Sequence, residues 1–347
     1  MDFPYNPQWP EKPKPVENLP TYRRIGQGFC GSVWSAPEDP STSTDPARAV
    51  AIKREDGGPG RSLVNDYSRH TDILDAVHKC PKDLRVFTVP RFLAWLEKLA
   101  WNTRATDQRL LRRFPAGYTP CDALFTERIP PMPERVRNLL IDKFCPTTPD
   151  AALPAKIRAD AQNRDCLVRP YLGRTKHGRG RSRKAFFSLR NFPPHLDQFS
   201  ELGLPSTAAR DYAAAVAKTL AVLHLEARID GNDIEFDVFG DHCLWILDFD
   251  CCRWMQWDAK GVEQAARAFL RNDPFYPRPG REDAEEQELW RHFRWTFLEA
   301  SERILAYDAE RDVGENGRRG LPEKLMDRIE ELVAEKSSKD DQAASEN

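Results

Sequence analysis

The sequence lacks a long apolar segment and a strong excess of charge of either sign. Its 347 residues carry a formal net charge of −2, so the chain is not an obvious nucleic-acid binder. No apolar run approaches the roughly 20 residues that a membrane-spanning helix needs. Residues 1–20 are polar and proline-rich, unlike a secretory leader with an apolar centre. We therefore expect a cytoplasmic or nuclear protein with no membrane partner.

The cysteines lack the close pairs that announce a structural zinc site. No two of them form a C-x-x-C pair, and no Cys-Cys-His-His spacing is present. A structural zinc ion needs four converging ligands, which usually come as two such pairs. The cysteines are Cys30, Cys80, Cys121, Cys145, Cys166, Cys243, Cys251 and Cys252. We therefore do not expect zinc, and we expect free thiols in a reducing compartment.

Apolar periodicity divides the chain into four segments. Residues 1–20 predict a disordered lead-in and residues 336–347 a disordered tail, because both are polar. Residues 21–130 alternate like β-structure around one helical segment, whereas helical periodicity dominates residues 131–335. The pattern predicts an α+β protein with a small β-rich lobe followed by a larger, mainly helical lobe.

The predicted elements follow from the same periodicity. Helices are predicted at residues 62–78, 134–144 and 207–227 and over the last 50 or so residues before the tail, where apolar positions recur every three or four residues. Strands are predicted at residues 22–25, 32–36, 49–53, 85–95, 123–129, 167–172, 185–189, 234–239 and 243–247.

A glycine-rich motif opens the β-rich lobe. Residues 25–33 fit G-x-G-x-x-G-x-V, with Gly26, Gly28, Gly31 and Val33 at the defined positions. Glycines let backbone N–H groups approach phosphate oxygens because no Cβ stands in the way. A dinucleotide site would need a helix directly after the motif, whereas here the strand pattern continues. The motif therefore predicts a hairpin over the phosphates of ATP.

A lysine on the next predicted strand strengthens this interpretation. Residues 50–53 spell V-A-I-K, the pattern of a kinase third strand, whose lysine binds the α- and β-phosphates and is held by an acid on the next helix. Lys53 is that lysine. Asp66 is the best-placed acid, although its side chain is shorter than the usual glutamate. The competing interpretation leaves Asp66 on a solvated helix face.

A later strand resembles the one that enters a kinase hinge. It covers residues 125–130 and includes Glu127 and Ile129. In such a hinge the adenine is recognised by backbone groups rather than by side chains. The resemblance implies that these two residues lie beside the base, and the competing interpretation is an ordinary strand between the lobes.

The second half of the sequence supplies acids at kinase-like spacing. Asp248 follows Asp230 at about the distance that separates the catalytic aspartate from the D-F-G motif of protein kinases, and Glu235 falls on their metal-binding asparagine. Asp230 would accept the proton of an acceptor hydroxyl. Glu235 and Asp248 would hold Mg²⁺, since hard cations prefer carboxylate oxygens.

The same motifs depart from the protein-kinase pattern. Arg228 replaces the histidine, Glu235 the asparagine and Asp250 the D-F-G glycine. A rival register places Asn232 on the catalytic aspartate, and the acids near Asp230 also fit a solvated turn. Two functions stay open: a Mg-ATP-dependent phosphotransferase with an unknown small-molecule or protein acceptor, and an inactive pseudokinase acting as a binding or scaffold module.

Two family resemblances accompany these motifs. The D-F-D of residues 248–250 resembles aminoglycoside phosphotransferases and choline kinases, which carry an acid in place of the glycine, and this implies a bilobal protein-kinase-like fold. Four further stretches resemble a large fungal family of uncharacterised, kinase-like proteins often labelled "zinc finger protein", over most of residues 60–305. They are residues 165–169, 187–193, 230–236 and 272–277. That family implies no established activity, and its zinc label has no visible ligand set in this sequence.

A basic run occupies residues 174–184, where six of eleven residues are Lys or Arg. Such a run is typical of a nuclear-localisation signal or a nucleic-acid patch, and equally of a solvated hairpin tip. Both interpretations stay open. Apart from this run, we expect a nucleotide as the partner rather than a nucleic acid.

Overall fold

A computed structural model describes residues 21–36, 49–102, 110–146, 150–175, 187–239, 243–310 and 318–345. The predicted lead-in and most of the basic run lie outside these ranges. The chain divides into two compact units, Met1–Thr71 with Pro90–Pro130, and Asp72–Val89 with Pro131–Asn347. One division point thus coincides with the predicted boundary after residue 130, whereas residues 72–89 belong to the second unit.

The described part of the chain is mixed α+β, with its strands and helices in separate groups along the sequence. The strands are β1 Arg23–Gln27, β2 Ser32–Ser35, β3 Val50–Arg54, β4 Phe87–Thr88, β5 Phe92–Leu96, β6 Ala123–Glu127, β7 Glu235–Phe239 and β8 Cys243–Leu247. The helices are α1 Val64–Lys79, α2 Glu134–Phe144, α3 Leu153–Ala159, α4 Ala208–Leu225, α5 Ala259–Arg271, α6 Ala284–Glu310 and α7 Leu321–Ser345.

The first unit is built on a five-stranded sheet of order β1-β2-β3-β6-β5. Its neighbouring strands are antiparallel, and successive side chains of a strand point to opposite faces. Trp34, Ile52 and Phe125 are cross-strand neighbours and belong to one buried apolar cluster. Val33 and Lys53 are paired one position away. They therefore face the side of the sheet opposite to this cluster.

The second unit combines a small sheet of order β4-β8-β7 with the longer helices. Its main apolar cluster draws on α4, α5, α6 and α7 and on the inner face of the sheet. The core stripes predicted for α4 and α6 are confirmed, because all of their members are buried. These residues are Tyr212, Val216, Leu220 and Leu223 on α4, and Leu289, Phe293, Phe297 and Ile304 on α6.

Two predicted strands of the second half are wrong. In the described parts of residues 167–172 and 185–189, only isolated bridges form, between Val168 and both Phe192 and Val238 and between Tyr171 and His195. Prolines explain the difference, since Pro170 lies within the first stretch and Pro193 and Pro194 closely follow the second, and proline donates no hydrogen bond to a ladder.

Proline also divides the strand predicted at residues 85–95. Pro90 separates β4 from β5, and β4 pairs with β8 in the sheet of the second unit. Helix α7 continues through residues 336–345 of the predicted disordered tail. That stretch contains neither glycine nor proline and consists mostly of residues that tolerate a helix.

None of the helices in the described ranges has both the length and the hydropathy that a bilayer crossing requires.

Truncation of a core phenylalanine on α6 tests the packing of the second unit. Phe297 is completely buried, whereas Trp295 on the same helix is 60% exposed. We expect Phe297→Ala to lower the free energy of unfolding by about 3–5 kcal/mol because it leaves a cavity. Trp295→Ala should change it by no more than about 0.5 kcal/mol. Urea unfolding followed by circular dichroism measures both, and equal losses would contradict the packing described for α6.

Candidate functional site

The glycine-rich motif forms the turn between β1 and β2. The N–H of Gly28 donates to the carbonyl oxygen of Gly31 at 2.8 Å. A Cβ added to Gly31 would lie 2.0 Å from the carbonyl oxygen of Arg54, whereas one added to Gly28 would meet no atom within 4 Å. Packing within the unit therefore requires glycine at position 31. It does not require glycine at position 28, where the backbone is open to a ligand.

Asp56 stabilises this turn through hydrogen bonds, and the sequence analysis did not identify this residue. Its carboxylate accepts hydrogen bonds from the backbone N–H and the hydroxyl of Ser32, at 2.7 and 2.6 Å. The indole N–H of Trp34 donates to the same hydroxyl at 2.6 Å. An acid in front of two glycines looks like an ordinary loop residue, so no sequence signal marked it. The contacts hold the start of β2 in place beside the turn.

Cross-strand pairing aligns Gly26, Val33 and Lys53 across the first three strands. Gly26 pairs with Val33 across β1 and β2, and Val33 pairs with Lys53 across β2 and β3. The sheet therefore presents Val33 and Lys53 on one face, next to the strand that enters the glycine-rich turn.

Lys53 forms an ion pair with Asp66 in the first turn of α1. Its Nζ lies 2.6 Å from Oδ2 of Asp66, and the side chains are 16% and 4% exposed. A helix N-terminus favours a carboxylate, and low exposure strengthens the attraction relative to a surface pair. Asp66 thus lies against Lys53 despite its short side chain, rather than on a solvated helix face.

His70 lies one helical turn after Asp66 and is buried. Its Nε2 is 2.6 Å from the carbonyl oxygen of Pro90. Burial lowers the pKa of His70, and the hydrogen bond to Pro90 and the charge of Asp66 only partly oppose this. A neutral imidazole at pH 7 therefore donates its Nε2–H to Pro90, which fixes this part of α1 without adding charge beside Lys53.

The two predicted hinge residues occupy different environments. The carboxylate of Glu127 accepts hydrogen bonds from the backbone N–H and the Nε of Arg91, at 3.2 and 3.3 Å. Ile129 is buried, with 9% of its surface exposed. Neither environment is specific to a nucleotide, so the role of Glu127 and Ile129 beside an adenine remains a prediction.

The second unit concentrates unusual backbone conformations around its acids. Arg228, Asp233 and Asp248 have φ angles of 54°, 60° and 63°, in the left-handed region that side chains disfavour. Asn191 is the other such non-glycine residue in the described ranges. Left-handed non-glycine residues cluster at functional sites, where the surrounding structure enforces them. The loops before β7 and after β8 are therefore the candidate site of this unit.

Asp230 is held within this site by several donors. Oδ1 accepts from the backbone N–H groups of Asn232 and Arg253, at 3.1 and 2.9 Å, and Oδ2 accepts from Nε2 of Gln264 at 2.9 Å. Only 4% of the residue is exposed. Asn232, the residue of the rival register, donates from its side chain to the carbonyl oxygen of Cys251 at 3.1 Å. The side chains of Asp230 and Asn232 thus connect the loop before β7 to the loop after β8 by hydrogen bonds.

Arg169 engages the first predicted metal ligand, and the sequence analysis missed it. Its guanidinium pairs with Glu235 and lies 3.6 Å from Oδ1 of Asp237. Asp237 is completely buried. Burial raises the pKa of Asp237 to about 7, Arg169 opposes the rise, and the charge of Asp248 adds to it. The charge of Glu235 is therefore neutralised by Arg169. Asp248, the second predicted ligand, interacts electrostatically with the buried Asp237.

A cluster of potential metal ligands lies at the same loops. Among the described residues, ligand atoms of Asp233, Asp250 and Cys251 lie within 4.8 Å of one another. Burial raises the pKa of Cys251 to about 12, and the charges of Asp250 and Asp233 add to the rise. Burial also raises the pKa of Asp233, and the charge of Asp248 raises it further. The cluster therefore favours bound protons or a bound cation.

Comparison with known families matches residues 244–309 to a family described as "Zinc finger protein". No curated protein matches the chain. The matched segment is well under half of the sequence, so it shows similarity to that family rather than membership. It includes Asp248, Asp250 and Cys251.

The comparison corrects two expectations. The resemblance to a fungal kinase-like family over most of residues 60–305, and more distantly to the kinase superfamily, is wrong: the match is confined to residues 244–309 and its description names no kinase. The expectation of no zinc is also wrong, because that description names zinc and the fold assembles Asp233, Asp250 and Cys251. Two carboxylates and one thiol from separate loops escape a search for paired cysteines and histidines.

The buried Asp237 predicts a pH dependence of stability. Since the pKa of Asp237 is about 7 in the folded state and near its ordinary, lower value in the unfolded chain, the folded state binds the extra proton. The free energy of unfolding should therefore fall as the pH rises from about 4 to about 7. Asp237→Asn should flatten this slope in urea unfolding series, and the exposed Asp211→Asn should not. An unchanged slope in Asp237→Asn would contradict the assignment.

Proposed function

We propose that the chain binds ATP through its first unit and transfers phosphate from Mg-ATP to a hydroxyl acceptor. The observation that carries the proposal is the ion pair of Lys53 and Asp66, in register with the glycine-rich turn. The fold that goes with it is protein-kinase-like, with the β-rich first unit as the N-lobe and the helical second unit as the C-lobe.

The energetics of the ion pair support a ligand. Taking two charges out of water costs several kcal/mol, and an apolar pair of similar size is often as stable. Such a pair is therefore weak support for a purely structural role. An oriented ammonium group on the sheet face, with open backbone at Gly28, instead matches the needs of a polyphosphate, because backbone N–H groups and a lysine bind its oxygens.

Acids of the second unit support metal-assisted chemistry. Asp248 has a left-handed backbone and raises the pKa of both Asp233 and Asp237, as expected where several carboxylates share a small volume. A divalent cation relieves that repulsion and neutralises phosphate charge. In this proposal Asp248 and Glu235 bind Mg²⁺ and Asp230 accepts the hydroxyl proton.

A binding module without catalysis is the second candidate function. Asp230 already accepts three hydrogen bonds, which leaves little of its carboxylate for a substrate hydroxyl, and Glu235 is paired with Arg169. These contacts favour a pseudokinase that binds nucleotide without turnover. Separate measurements of binding and turnover therefore decide between the two functions.

Substitution of the strand lysine tests nucleotide binding. We expect Lys53→Ala to weaken Mg-ATP binding by about tenfold or more, because a charge-assisted hydrogen bond contributes roughly 1.5–3 kcal/mol. The variant also leaves Asp66 buried without its lysine, so Lys53→Ala combined with Asp66→Ala should restore folding but not affinity. Isothermal titration calorimetry measures the affinity, and the exposed Lys82→Ala is the matched control. Wild type that binds no ATP at millimolar nucleotide would refute the proposal.

Substitution of the acids tests catalysis. Asp230→Asn should leave Mg-ATP affinity nearly intact and lower turnover, because proton acceptance matters only at the chemical step. Asp248→Asn should lose the metal-dependent part of the affinity, and Glu235→Gln should do so more mildly. Calorimetry and ATP hydrolysis of the three variants measure these effects. Full turnover in Asp230→Asn would exclude it as the base, and wild type that binds but does not hydrolyse ATP would establish the pseudokinase.

A further inference from the structure

A cavity in the first unit is large enough for a small-molecule ligand. Its volume is about 480 Å³, within the roughly 300–1,000 Å³ that is typical of ligand sites. Arg24, Ser32 and Arg54 line it from β1, β2 and β3, and Lys98 and residues 117–121 line it from outside the sheet. The nucleotide site proposed above does not account for this cavity.

The sheet residues of the cavity lie on the face opposite to Lys53. Arg24 pairs directly with Trp34, and Arg54 lies two positions after Ile52 on β3. Both Trp34 and Ile52 belong to the apolar cluster, and successive side chains of a strand point to opposite faces. A ligand in the cavity therefore occupies a different place from a polyphosphate at Lys53.

Two acids line the cavity, and contacts within the first unit already engage both of them. Oε2 of Glu55 accepts a hydrogen bond from the backbone N–H of Leu63 at 2.8 Å. The carboxylate of Asp56 accepts hydrogen bonds from Ser32 and, at 3.3 Å, from Nε of Arg54. These contacts leave little of either carboxylate to balance the remaining positive charge of the cavity.

Two cations of the cavity have no acidic partner among the described residues. Nη1 of Arg24 donates to the uncharged side-chain oxygen of Gln27 at 3.1 Å. Lys98 contacts Asp122 through its backbone N–H at 2.6 Å, but its ammonium group forms no ion pair in the part of the chain that the structure describes. Both side chains belong to exposed residues. The cavity thus presents an excess of positive charge, which attracts an anion.

Arg54 is a second, independent indication of an anion. Only 1% of its surface is exposed, and within the described ranges its Nη1 has no hydrogen-bond partner. Its guanidinium carbon lies 4.3 Å from the centre of the Phe114 ring and 5.5 Å from that of Tyr118, so aromatic faces attract the charge without supplying an oxygen acceptor. Buried donors that lack an acceptor are rare in native proteins, and a bound ion or water molecule explains many of them.

We propose that this cavity binds a small phosphorylated molecule, with the phosphate oxygens bound by Arg24, Arg54 and Lys98. Arginine and lysine are the side chains that bind phosphate groups, arginine through paired N–H donors and lysine as a point charge. A phosphate monoester carries a charge of about −1.5 to −2 at neutral pH, which matches the two cations without an acidic partner. The organic part of the ligand contacts Tyr118 on the opposite wall.

Titration of phenyl phosphate into the full chain tests the site. Isothermal titration calorimetry measures its affinity, and phenol is the uncharged control ligand. The cavity variant combines Arg24→Ala with Lys98→Ala. The matched control variant combines Arg112→Ala with Lys82→Ala, which removes the same charge from two exposed residues outside the cavity. Circular dichroism verifies that each variant is folded.

A further variant, Lys53→Ala combined with Asp66→Ala, separates this site from the proposed nucleotide site. We expect wild type to bind one phenyl phosphate per chain and no phenol, with an affinity that falls as salt screens the charges. The cavity variant should bind at least about tenfold more weakly, because two charge-assisted contacts are lost. The matched control and the Lys53 and Asp66 variant should bind as wild type does.

Three outcomes overturn the proposal. The first is wild type that shows no saturable binding at millimolar phenyl phosphate, and the second is a folded cavity variant that binds as tightly as wild type. The third is loss of binding in the variant of Lys53 and Asp66, which places the probe at the nucleotide site. Calorimetry with ATP is a separate measurement, so failure of nucleotide binding is distinguishable from failure of this site.

Discussion

The ion pair between Lys53 and Asp66 is the interaction on which the candidate site of the first unit depends. It exists because side chains alternate between the two faces of a sheet: Ile52 enters the apolar cluster, so Lys53 must face the other side. There α1 supplies the acid at its N-terminal turn, where the helix dipole favours a negative charge. A shift of β3 by one residue would exchange the two faces and leave the lysine in the core.

The second unit places its charges differently. Asp230, Asp233, Asp248 and Asp250 lie in loops, and three residues of those loops have left-handed backbone conformations. A helical core built from α4, α5, α6 and α7 provides the rigid support that such strained positions need. Asp230 shows the consequence, since its hydrogen bonds to Arg253 and Gln264 fasten the loop while reducing what the carboxylate offers to a substrate.

Ligand chemistry distinguishes the acids of this unit from one another. A phosphotransferase needs a hard cation between carboxylates and phosphate oxygens, and Asp248 is suited to that. The cluster of Asp233, Asp250 and Cys251 adds a thiol, which favours a softer ion. Burial raises the pKa of Asp233, and the charge of Asp248 adds to that rise, so acids of the two loops affect each other.

The sequence by itself determined the local features of this protein. Alternation of apolar and polar residues predicted the strands around Gly26, Gly28 and Lys53. Helical periodicity predicted the buried stripes of α4 and α6. Both patterns follow from the short-range geometry of strands and helices. The sequence named Asp66 as the partner of Lys53, but it did not identify three other contacts. These contacts join Asp56 to Ser32, Arg169 to Glu235, and Asp233 to the neighbouring Asp250 and Cys251, and each joins parts of the chain that are well separated in sequence. Only tertiary structure brings them within the few ångströms over which hydrogen bonds and metal ligands act.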